Sequence, residues 1–123
     1  MTGSPCAFCE ILAGLRPAGI VRVWPDALAL VPLGPVVAGH VIVITRTHAP
    51  SALADPGAAG LAVRRAAEYA VGAGLESANL ITSAGAAASQ TVYHLHVHVV
   101  PRAEGDGLAL PWTGPRAPGC PGI

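Results

Sequence analysis

The stretch His94-Leu95-His96-Val97-His98 places three of the chain's five histidines in five consecutive positions, each separated from the next by an aliphatic residue. Alternation at period two is the pattern of a β-strand, whose side chains point by turns to opposite faces. A strand over Val92–Val100 puts His94, His96 and His98 in one row, roughly 6–7 Å apart along the strand rise. It also turns Leu95, Val97 and Val99 toward a core. A row of imidazoles backed by packed sheet reads as an active-site strand.

The rest of the chain supplies partners for such a strand. Ala78–Thr82 reads as a strand and Ser83–Ser89 as a small-residue loop leading into the histidines. Asp55-Pro56 starts a helix, because Asp caps and Pro fits the first helical position. The pattern runs from Gly57 to about Leu75. Val63, Ala66, Ala67, Ala70 and Val71 form its apolar stripe, opposite Arg64, Arg65 and Glu68. Residues that small suit close packing on a sheet or on a second copy. Earlier, Ile20–Trp24 and Ala27–Val31 read as a hairpin joined at Pro25-Asp26. Pro32, Gly34 and Pro35 break regular structure before a strand over His40–Thr45. Cys9–Ala13 reads as a short helix stopped by Gly14 and Pro17. One long helix among several strands predicts an α+β fold around an antiparallel sheet of about five strands.

At 123 residues, the chain is expected to form a single domain over 1–123 with a real core. Its 52% hydrophobic and 11% charged content exclude disorder throughout. A formal net charge of zero leaves no basic stripe, so a dedicated nucleic-acid binder is not expected. All 7 basic residues are arginine, which reads as codon bias rather than as function. No basic-then-apolar leader opens the chain, and its apolar runs, such as Val41–Ile44 and Val97–Val100, are of strand length. A soluble, cytoplasmic protein with no membrane partner is the expectation. About 113–123 is Pro/Gly-rich and reads as a flexible tail carrying a lone Cys120.

The flanks of the triad read Gln90-Thr91-Val92-Tyr93-His94-Leu95-His96-Val97-His98-Val99-Val100-Pro101-Arg102. With Cys6-Ala7-Phe8-Cys9-Glu10-Ile11-Leu12-Ala13-Gly14, Gly39-His40-Val41-Ile42-Val43, His48 and Leu110-Pro111-Trp112, the chain resembles the histidine triad (HIT) proteins over nearly its whole length. Within them it is similar to the Hint-like branch. The resemblance implies a homodimer acting on nucleoside monophosphates through a nucleotidyl-histidine intermediate. It makes His96 the nucleophile, His98 a donor to the phosphoryl oxygens and Thr91 a hydroxyl donor. Gln90 and His40 shape and support the site. The chemistry is sound in itself, since neutral imidazole attacks phosphorus near pH 7 when its other nitrogen is held as N–H by an acceptor such as a backbone carbonyl.

Cys6-x-x-Cys9 taken alone can be half a zinc site, a thiol–disulfide pair or two small core residues. No strand-to-helix unit of the redox type precedes it. The resemblance to bacterial members implies His48 and His94 as two further ligands, making a closed site with structural zinc. His94 then anchors one end of the triad while His96 and His98 face the phosphate.

Several positions depart from the pattern. The acidic residue that holds the ribose in Hint-like proteins corresponds to Pro32, beside Leu33, which can still pack on a base or ribose. Ser83 stands in place of an asparagine, Ser89 of a glycine and Thr91 of a serine. Loss of a neutral ribose hydrogen bond costs about 0.5–1.5 kcal/mol, which weakens a substrate without removing a nucleophile. Two competing readings remain: a catalytically weak nucleotide-binding or scaffolding module, and a metal hydrolase using strand histidines, for which Glu104 is a poorly placed third ligand.

Overall fold

The computed structural model describes residues 6–110. The elements in order are α1 (Ala7–Leu12), β1 (Gly19–Val23), β2 (Ala27–Val31), β3 (Val41–Thr45), α2 (Pro56–Gly72), β4 (Ala78–Ile81) and β5 (His96–Pro101), with a 3₁₀ turn at Ala86–Ala88. The strands form one sheet of order β1-β2-β3-β5-β4 in which every neighbouring pair is antiparallel. This is the expected α+β architecture, with one long and one short helix. Element ends move by up to three residues from the sequence reading, apart from the histidine strand. The tail at about 113–123, with Cys120, lies outside the described residues. Among the described residues no helix is long and apolar enough to cross a membrane.

Period-two alternation gives the sheet two apolar faces. Ala27, Ala29, Val41, Val43, Val97 and Val99 point to one side and pack with Ala62 and Ala66 of α2. Leu28, Leu30, Ile42 and Ile44 point to the other, where Phe8 of α1 covers them. The register puts Ile42 beside His98 and Ile44 beside His96, so both histidines lie on the α1 face, away from the long helix. α1 covers only part of that face, and the strip left open is where a small molecule can enter.

Asp55 caps α2 as expected, its side chain accepting from the Ala58 N–H, with Pro56 in the first turn. The apolar stripe keeps Ala66 and Ala70 as expected but takes in Ala62 in place of Val63, Ala67 and Val71. Ala62 and Ala66 are fully buried and Ala70 packs with them. Val63 and Val71 are exposed, as is Ala67. The alanine-rich helix gave the hydrophobic pattern too little contrast to fix its phase, and ion pairs fixed it instead. Arg65 reaches both oxygens of Asp26 at the β1–β2 turn, 2.9 and 3.1 Å away, and so sets the helix rotation. Its guanidinium also lies 5.9 Å from the Trp24 ring centroid. Replacing Ala66 by Leu inserts three carbons where α2 meets the sheet. Thermal denaturation is expected to show a loss of about 1–3 kcal/mol.

Candidate active site and metal cluster

The sequence reading extended the histidine strand back to Val92, but β5 begins at His96. The reason lies in its neighbours. β3 pairs with β5 only as far as Ile44↔His96, and β4 only as far as Ile81↔His98. Residues 92–95 therefore have no ladder to join. They are held otherwise: the Leu95 N–H donates to the Ala49 carbonyl at 2.7 Å. Leu95 still faces the α2 core, as the alternation implied. His94 leaves the row and is fully buried, whereas His96 and His98 stay on the strand with ring centroids 5.3 Å apart.

His40, His94 and His96 each have one ring nitrogen committed to a backbone group of known polarity, and this assigns their protons and, through His40, that of His98. His94 Nε2 lies 2.6 Å from the Thr45 carbonyl and must donate there, leaving its Nδ1 lone pair free. His96 Nδ1 lies 2.7 Å from the His94 carbonyl and must also donate, leaving a lone pair on Nε2. His40 Nδ1 accepts from the Val36 N–H at 3.1 Å, so its proton is on Nε2. That Nε2–H then donates to His98 Nδ1, 3.0 Å away, and His98 carries its own proton on Nε2. The two strand histidines thus present opposite polarity: His96 a lone pair, His98 an N–H.

Burial favours the neutral ring at all four positions. It lowers the pKa of His40, His94 and His96, with the His48 and His96 rings adding to the effect at His94. His98 is pushed down to about 4 by burial first, and by His96 and His40 beside it. At neutral pH the pattern of lone pairs and donors is therefore intact.

The four residues implied for metal come together. Cys6, Cys9, His48 and His94 bring their ligand atoms within 4.8 Å of one another. Cys6 Sγ and Cys9 Sγ lie 3.4 and 3.5 Å from His94 Nδ1, Cys9 Sγ lies 3.4 Å from His48 Nδ1, and the two Nδ1 atoms are 3.2 Å apart. A tetrahedral ion with Zn–S near 2.3 Å and Zn–N near 2.05 Å has S···N edges of about 3.6 Å and N···N edges of about 3.3 Å. These four edges match, and all six lie within 4.8 Å. The His94 hydrogen bond to Thr45 is the outer contact that orients a ligating imidazole. Burial and the neighbouring Cys6 thiol raise the Cys9 thiol pKa, which a dication reverses by binding the thiolate. Cys6 also caps α1, its sulfur accepting from the Cys9 N–H at 3.3 Å.

His96 and His98 open onto a cavity of about 460 Å³, within the range of small-molecule sites, that Phe8 and Ile11 of α1, Leu30 and Ile42 also line. Thr91, Leu33 and Pro32 lie on its wall. Pro32 brings no side-chain acceptor to that wall. Gln90 is buried and spends its amide on the backbone: Oε1 accepts from Gly85 N–H at 2.8 Å, and Nε2 donates to the Pro50 and Val92 carbonyls at 2.7 and 3.1 Å. It fastens the approach to the histidines and leaves no free amide for a ligand. Ser83 is half-buried, and Ser89 sits exposed at φ +70°, a left-handed conformation that favours glycine. Neither lines this cavity.

Sequence reasoning passed over three contributors. The Thr45 carbonyl is invisible to side-chain motifs. Thr82 donates to the His96 carbonyl at 2.8 Å and steadies the start of β5. Arg16 stands on the cavity wall, and its place beside Pro17 in a loop gave no periodic signal.

A two-faced sheet, a half-covered histidine row and an adjoining thiol–imidazole cluster define a small α+β domain built around one histidine site. The family model described as the HIT domain matches residues 16–105. A HIT-like protein of Mycobacterium tuberculosis is 37% identical over 115 residues, covering 86% of this chain and 77% of that protein. The adenosine 5′-monophosphoramidase of Schizosaccharomyces pombe is 31% identical over 111 residues, covering 87% and 82%. The structure of a zinc-bound histidine triad family protein from Mycobacterium smegmatis superposes with a TM-score of 0.73 at 36% identity, covering 85% of this chain and 79% of that one. The chain belongs to the HIT family.

The lowered histidines predict an acid-sensitive fold. Between the ordinary value near 6.5 and about 4, the unfolded chain binds protons that folded His98 refuses, so stability falls as pH drops through that window. His98→Gln should flatten the dependence of melting temperature on pH there. An unchanged slope contradicts the assignment. Separately, Ser89→Gly should raise stability by about 1 kcal/mol in denaturant titration by relieving the left-handed residue.

Proposed function

We propose that this protein is a nucleotide hydrolase or transferase that cleaves a nucleoside 5′-phosphoramidate, or a related P–N or P–O linked nucleotide, through a nucleotidyl intermediate on His96. The observation that carries this reading is the His96 Nδ1–H bond to the His94 carbonyl, which leaves the Nε2 lone pair at the cavity. Nε2 attacks phosphorus, an N–P bond forms, and the bond to the leaving group breaks with its electron pair. The leaving group takes a proton from solvent, which the hydrolytic water later returns, and departs. Water then cleaves the N–P bond, giving the nucleoside monophosphate and neutral His96. The His98 Nε2–H donates to the phosphoryl oxygens as charge shifts, with the Thr91 hydroxyl as a further donor. His94 contributes through its carbonyl, and His40 through the tautomer it imposes on His98.

The ligand class is a purine nucleoside monophosphate, and the phosphoramidase activity named for the fission-yeast relative supports it. Cys6, Cys9, His48 and His94 would hold a structural zinc ion, a reading supported by the edge lengths and by the zinc-bound mycobacterial relative. Four protein ligands close the site, so the metal would tie α1 to the triad and not activate water. A homodimer fits the apolar side chains left outside the core, Val63 and Val71 on α2 and Leu80 and Ile81 on the edge strand β4. The second reading, a binding or scaffolding module, draws on Pro32, which offers the ribose no side-chain acceptor.

Incubation with adenosine or guanosine 5′-phosphoramidate tests the reading. His96→Asn is expected to abolish turnover, and His98→Asn to lower it about 10²-fold or more. An acid-labile nucleotidyl adduct on His96 should be seen by mass spectrometry. Turnover that survives His96→Asn refutes the nucleophile, and binding without turnover leaves the scaffold. Metal analysis should find one zinc per chain, and exhaustive chelation should lower the melting temperature.

A further inference from the structure

The cavity beside His96 and His98 is apolar along most of its wall, and one residue there carries a permanent charge. That residue is Arg16, three positions before β1. The sheet order fixes which end it occupies. The wall runs from Gly19 on β1 across Leu30 on β2 and Ile42 on β3 to His98 on β5, three inter-strand steps or about 14 Å. A nucleotide with its phosphoryl group at the histidines spends that length on the sugar and places its base at the β1 end.

Arg16 is held in place there. Its Nε and Nη2 donate to the same Glu10 oxygen at 3.0 and 2.6 Å, and Glu10 stands on the rigid turn of α1 that carries Phe8 and Ile11. This leaves Nη1 and the second Nη2 proton without a partner among the described residues. Together they form a pair of parallel donors and present no acceptor. Glu10 already offsets the charge, so a second anion gains little at this point. A neutral base edge with two adjacent acceptors fits better. The N7 and O6 of guanine or hypoxanthine form such an edge, whereas adenine offers N7 beside an amino donor.

We propose that Arg16 reads the base and selects 6-oxopurine nucleotides over adenine nucleotides, with Glu10 as its positioning residue. The proposal rests on the nucleotide reading of the cavity and adds its base preference. Wild-type full-length chain and its Arg16→Leu and Arg16→Gln variants are to be titrated calorimetrically with GMP, IMP and AMP. GMP and IMP should bind wild type roughly tenfold or more tightly than AMP. The ratio should collapse toward one in both variants, whose half-exposed position 16 leaves the fold intact. Glu10→Gln should give an intermediate ratio. Equal binding of the three nucleotides to wild type overturns the proposal while leaving the nucleotide reading standing. So does a ratio that persists in the variants, or IMP behaving like AMP. No binding of any nucleotide overturns both.

Discussion

The site depends on backbone carbonyls that decide where imidazole protons sit. Thr45 takes the Nε2 proton of His94, and His94 in turn takes the Nδ1 proton of His96. Neutral imidazole has one donor and one acceptor, so fixing one nitrogen fixes the other. One short run of chain therefore yields two tautomers of opposite sense: His94 offers Nδ1 to the Cys6, Cys9 and His48 cluster and His96 offers Nε2 to the cavity. A Val36 N–H sets the third by way of His40. The groups that fix the first two, and the one that fixes His40, belong to the backbone.

This arrangement requires that β5 start late. Were residues 92–95 in the sheet, the His94 carbonyl would be shared with a ladder N–H rather than given over to the His96 ring. The end of β3 at Thr45 releases them, and the Ala49 carbonyl and the Gln90 amide then hold them in place. The cluster of Cys6, Cys9, His48 and His94 gathers the same region from the α1 side. Phe8, in the first turn of α1, packs edge-on against both His94 and His96, with centroids 5.8 and 5.0 Å away. The thiol–imidazole cluster and His96 thus share one aromatic wall.

Alternation made the two faces of the sheet legible, and Leu95, Val97 and Val99 lie on the core side as expected. The ligand cluster was legible through the resemblance, because Cys6 and Cys9 gain meaning only with His48 and His94. Three features escaped. The start of β5 is set by where other strands stop, which local pattern does not encode. The inner face of α2 is set by Arg65 and Asp26, since alanine packs about equally well at any phase. Arg16 meets the cavity through the order of strands, a property of topology that no window of sequence contains.

Long-range ¹H–¹⁵N correlation spectroscopy of the imidazole nitrogens at neutral pH tests the central claim most directly, because it reports which nitrogen of each ring carries the proton. The account predicts a protonated Nδ1 and bare Nε2 for His96, and a bare Nδ1 and protonated Nε2 for His98. A proton on Nε2 of His96, with Nδ1 bare, would contradict it.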